Sequence, residues 1–69
     1  MKLREFNFNS LKRPGRLTGL SVRMGDGQWY EGCGIGDTLR LLPPHFADAT
    51  IKRTRWFFDT FVIELEEIK

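Results

Sequence analysis

The chain has 69 residues, of which 41% are hydrophobic, 29% charged and 13% aromatic, and its formal net charge is +2. That length admits one domain and hides only ~60% of the surface its unfolded state exposes, so multidomain machinery is excluded. The composition excludes a disordered chain, and the six Phe, two Trp and one Tyr supply large side chains from which a small core can be built.

In chain order, residues 2–8 put Phe6 and Phe8 on one side of an extended backbone and Leu3 on the other, which predicts a first strand. The opening Met-Lys-Leu-Arg-Glu-Phe-Asn holds no apolar run fit for a signal peptide. No stretch approaches the ~20 apolar residues that span a bilayer. A soluble, cytoplasmic protein is therefore expected. Asn9-Ser10 and Arg13-Pro14-Gly15 are turn chemistry, making 9–15 a loop that carries Lys12, Arg13 and, at its exit, Arg16.

Leu17, Leu20, Val22 and Met24 read as a strand ending at Gly25-Asp26-Gly27, after which Gln28-Trp-Tyr-Glu31 resumes with aromatics. Apolar arms around a Gly-Asp-Gly turn predict a β-hairpin, and Gly19 predicts a bulge or tight bend in its first arm. Gly32-Cys-Gly-Ile-Gly36 follows. A nucleotide loop needs a strand before it and a helix after it, and six residues from Gly36 to Pro43 leave no room for a βαβ unit. The glycines are instead expected to bare one face of a strand and let it curve. Asp37–Leu42 reads as a further strand, stopped by Pro43-Pro44, because neither proline can donate to a ladder. His45–Ala49 is a connector of one helical turn.

Toward the end of the chain two patterns compete. Phe57, Phe61, Leu65 and Ile68 recur at helical spacing, yet Thr54, Trp56–Phe58 and Thr60–Ile63 are β-branched or aromatic. Such runs disfavour helix, and two strands with a bend at Asp59-Thr60 are expected. The fold class is thus mainly β: one domain over 1–69, with five or six short antiparallel strands in a small barrel or rolled sheet, SH3-like or OB-like. Closure would protect the apolar stretch Phe57 to Leu65 from edge pairing. The expected core is Leu17, Leu20, Val22, Leu39, Leu41, Phe61, Ile63 and Leu65.

Chemistry-bearing residues are sparse. Cys33 and His45 are the single members of their types, so a disulfide within the chain and a Cys/His zinc site are both excluded. A Cys–His nucleophile pair needs only proximity in space, but a lone Cys is commonly a small buried hydrophobe, and a chain this short builds little pocket. Asp26, Asp37 and the glutamates Glu64, Glu66 and Glu67 fit turn, cap and solvated-face positions. No enzyme, cofactor or metal is expected.

What remains is cationic and aromatic. Residues 1–56 hold ten Lys/Arg against five Asp/Glu, whereas 57–69 hold one against four, so a basic body carries an acidic tail. Lys12, Arg13, Arg16, Arg23, Lys52, Arg53 and Arg55, with Trp29, Tyr30 and Trp56, form the candidate binding set. Small β domains bind single strands by lining a cationic groove with aromatics on which bases stack. The plainer explanation is that the aromatics are core and the cations solubilise the surface. Alternation in 51–58 puts Lys52, Thr54, Trp56 and Phe58 on one face and Ile51, Arg53, Arg55 and Phe57 on the other. Neither face is cleanly apolar, which suits a strand with one side turned to a partner. The expected function is non-enzymatic nucleic-acid binding. The alternative is a protein-binding inhibitor or adaptor, for example a phage or mobile-element accessory protein. Separately, the aromatic segment 56–65 is expected to self-associate, as a homodimer, or to meet a protein partner.

Overall fold

The hairpin around Gly-Asp-Gly forms: β1 (Gly19–Met24) pairs antiparallel with β2 (Trp29–Glu31), Val22 lying opposite Tyr30. In the computed structural model, which describes residues 1–11, 18–25 and 27–66, Asp26 at the hairpin tip and Leu17 before β1 lie outside the described residues. β3 (Ile51–Phe57) and β4 (Thr60–Leu65) form a second antiparallel pair with Trp56 opposite Phe61. β4 then lies parallel to β1, Leu20 beside Phe61 and Val22 beside Ile63, giving one mixed sheet in the order β2-β1-β4-β3.

Among the described residues the sheet is open rather than closed into a barrel, and it has four strands rather than five or six. Two segments account for the difference. Residues 2–8 form no strand: Leu3–Glu5 and Phe8–Leu11 are 3-10 turns, the first closed where the Lys2 N–H donates to the Glu5 carboxylate at 2.8 Å. The turns let Leu3 and Leu11 both point inward and bring Phe6 onto Phe61, ring centroids 5.6 Å apart. Asp37–Leu42 is not a strand either; it belongs to α1 (Ile35–Leu41). Ile35, Thr38, Leu39 and Leu42 recur at helical spacing and face the core, while Leu41 faces solvent.

Helix α1 and a 3-10 helix at Pro44–Asp48 carry the chain from β2 on one edge of the sheet to β3 on the other. Among the described residues, these elements and the N-terminal turns cover one face only. Beneath them lie Leu20, Val22 and Met24 of β1 and Phe61, Ile63 and Leu65 of β4, with fully buried Phe46 set edge-on to Tyr30. Burying one such aromatic contributes roughly 1.5–3 kcal/mol. The N-terminus is stitched down by the Leu3 N–H to the Ala49 carbonyl at 2.9 Å and the Ile51 N–H to the Met1 carbonyl at 2.8 Å.

Gly19 holds no bulge; it sits where a Cβ would come within 2.9 Å of the Thr60 hydroxyl. Gly32, expected to bare a strand face, instead turns the chain from β2 into α1, its N–H donating to the Thr38 hydroxyl at 2.8 Å. A Cβ there would lie 2.8 Å from the Thr38 backbone nitrogen, which only glycine avoids. The strand and helix that a phosphate loop requires thus flank this run. However, α1 is seven residues long with Asp37 in its first turn, an arrangement that repels an anion.

Candidate functional site

Side chains alternate across a sheet, so the residues between the core positions share the opposite face, which no helix or turn among the described residues covers. Register places them in rows. Trp29, Arg23, Glu64 and Arg53 cross the sheet in one row; Glu31, Ser21, Val62 and Arg55 in the next; Gly19, Thr60 and Phe57 in a third. Together they shape a groove of about 380 Å³, with Trp29 at one end, Phe57 and Phe58 at the other, and the almost fully buried Ser21 and Val62 between them.

The irregularity of β3 is what aims these groups. A register shift between Ile51 and Arg53 turns Ile51 toward Leu65 and the core, while Arg53, Arg55 and Phe57 stay on the open face. One extra residue in a strand re-aims everything after it. That is why strict alternation made both faces of this segment look mixed.

Trp29 is 56% exposed, but its ring is oriented: the indole N–H donates to the Ser21 hydroxyl, and the Arg23 guanidinium lies 5.0 Å from the ring centroid. The Arg23 Nε–H is buried and meets no acceptor among the described residues. A buried donor left unmatched costs about 1–3 kcal/mol, more when charged. Glu64, its neighbour on β4, does not serve it, because that carboxylate accepts from the Arg53 Nε at 2.5 Å. The hydrogen bond from Arg53 holds the Glu64 carboxyl below the usual carboxylate range, and it raises the Arg53 guanidinium above its ordinary value. Arg55 forms no ion pair among the described residues and lines the groove opposite Glu31.

Phe58 completes the far end. It is 85% exposed and holds φ +55°, the left-handed region that a bulky side chain rarely occupies. Phe57, packed edge-to-face with Phe58 at 4.7 Å, is exposed as well.

Of the residues expected to bind, the structure brings together Arg23, Trp29, Arg53 and Arg55. Tyr30 is directed to the core against Phe46, and Trp56 lies on the covered side, edge-on to Phe61 at 5.0 Å. Lys52 is exposed beside a separate depression shared with Met24 and Glu64. Lys12, Arg13 and Arg16 lie outside the described residues. Sequence reasoning left out Phe57, Phe58, Glu31, Ser21 and Val62. The signal for Phe57 was present, since alternation had already grouped it with Arg53 and Arg55; Ser21 and Val62 needed the β1–β4 pairing.

Cys33 is exposed, and His45 packs edge-on against Phe46. No three His, Cys, Asp or Glu side chains converge as a metal site among the described residues. No helix among them is long and apolar enough to cross a membrane. In comparisons with known proteins, the chain matches no protein family, no curated protein and no solved structure.

Proposed function

We propose that the uncovered face of the sheet binds single-stranded nucleic acid without catalysis. The observation that carries this reading is the groove itself. Exposed aromatics stand at both ends, and two arginines without carboxylate partners among the described residues lie between them. Aromatic faces stack on bases, and guanidinium groups take phosphates. A duplex hides the faces of its bases, so stacking residues would find nothing on it; a strand offers both groups at once.

Fluorescence anisotropy with short single-stranded oligonucleotides, compared with the same sequence as duplex, tests the reading. Trp29→Ala and Phe57→Ala should each weaken strand binding by about 1–3 kcal/mol while the protein stays folded. No strand binding at low salt overturns the proposal. Cys33→Ala and His45→Ala should leave binding unchanged.

One observation favours a second reading, the protein-binding inhibitor or adaptor. β3 is an edge strand, and beyond the Ile51 contact with Met1 no strand covers its outer side among the described residues. An extended segment of a protein partner, or of a second copy, can add to such an edge. Failure of every oligonucleotide to bind, together with protection of β3 amides by a protein partner, would favour it.

A further inference from the structure

Resting on the strand-binding reading above, we infer that the groove selects guanine. The row that crosses it ends in opposite charges: Glu31 on β2 and Arg55 on β3, separated by Ser21 and Val62. The two strands are three spacings apart, roughly 14 Å between backbones. Glu31 and Arg55 both line the groove of about 380 Å³, which has room for one flat ring system between the Trp29 and Phe57 rows. Glu31 forms no ion pair or hydrogen bond among the described residues, so its two acceptor oxygens are free for a ligand.

A carboxylate at one end and a guanidinium at the other read a base by its hydrogen-bonding edges. Guanine offers N1–H and the N2 amine as adjacent donors, a match for a carboxylate, and O6 with N7 as adjacent acceptors, the match for arginine. Adenine and cytosine each present one exocyclic amine beside an acceptor nitrogen, which a carboxylate repels. Uracil and thymine present a single N–H between two carbonyls. Guanine alone satisfies both ends of the row. Arg23, stacked beside Trp29, remains for the adjoining phosphate.

The test uses oligothymidine strands that differ only in one central base, with binding measured for the wild type and for Glu31→Gln. Guanine at the centre should bind about tenfold more tightly than adenine, cytosine or thymine. Glu31→Gln should reduce that ratio to near one. Equal affinity for all four central bases in the wild type overturns guanine selection and leaves strand binding standing. A preference for guanine that survives Glu31→Gln also overturns it as assigned here. Absence of binding to every strand overturns both. Free guanosine monophosphate serves as competitor: if it binds as tightly as the guanine-containing strand, the strand is not the ligand and the proposal falls.

Discussion

Phe58 shows how a single residue can act against stability. A left-handed backbone costs a residue with a side chain about 1–2 kcal/mol, and glycine is the ordinary solution at a turn between strands. An aromatic kept at φ +55° and 85% exposed contributes little to folding in return. Strain of this kind suggests a use at the surface. Phe58→Gly is therefore expected to stabilise the protein by about 1 kcal/mol in urea unfolding, the relief of strain outweighing glycine's entropy. Binding of single strands should weaken in the same variant; unchanged affinity would remove Phe58 from the platform. Glu64 gives a second opposition. Its carboxyl is held low by Arg53, so the pair's contribution is complete above the ordinary carboxylate range and fades as pH falls through the depressed value. The melting-temperature gap between wild type and Glu64→Gln should accordingly narrow between neutral pH and about pH 3. At neutral pH the same variant frees Arg53 and should bind strands more tightly.

At the scale of elements, α1 is anchored by one buried hydroxyl. Thr38 donates to the Leu20 carbonyl at 2.8 Å and accepts from the Gly32 N–H at the same distance, joining helix, β1 and the β2–α1 turn. Thr38→Val preserves shape but removes both bonds, and should cost about 2 kcal/mol in urea unfolding. A loss under about 0.5 kcal/mol would mean that neither bond matters. The same helix marks the limit of what the sequence told. Apolar arms around Gly-Asp-Gly announced the β1–β2 hairpin, and β-branched and aromatic residues announced β3 and β4, because those signals are local. Ile35, Thr38, Leu39 and Leu42 have helical spacing, but a threonine among leucines hid the stripe, and its burial depends on contacts with β1. Phe6 and Phe8 alternate as in a strand, yet turns bring Leu3 and Leu11 inward where an extended chain could not. Three of the residues expected to bind, Arg23, Trp29 and Arg55, line the groove, with Arg53 beside them on the same face. Tyr30 and Trp56 do not, since a two-residue period separates faces without saying which one is covered. The parallel β1–β4 pairing, which opens one face and rules out the barrel, joins residues some forty positions apart and has no local signature.

Across the whole molecule, charge and stacking can be weighed against each other. The body of the sequence suggests strong electrostatic attraction, with ten cations in residues 1–56. The groove says otherwise. Arg53 is neutralised by Glu64, which leaves Arg23 and, on a strand with no guanine in the groove, Arg55 to meet phosphates. For single strands each neutralised phosphate contributes a slope of about −0.7 in the logarithm of affinity against the logarithm of salt, so two give about −1.4. Between 50 and 200 mM salt, affinity should then fall only about sevenfold, with aromatic stacking supplying most of the rest. Arg55→Gln should bring the slope near −0.7, and Glu64→Gln, by freeing Arg53, should take it to about −2. Both variants alter the groove by one charge in opposite directions, so the pair separates specific phosphate contact from an effect on folding. A wild-type slope steeper than about −3 would require cations beyond the groove. Replacing Lys12, Arg13 and Arg16 together would identify them as the source if the slope then returned to about −1.4.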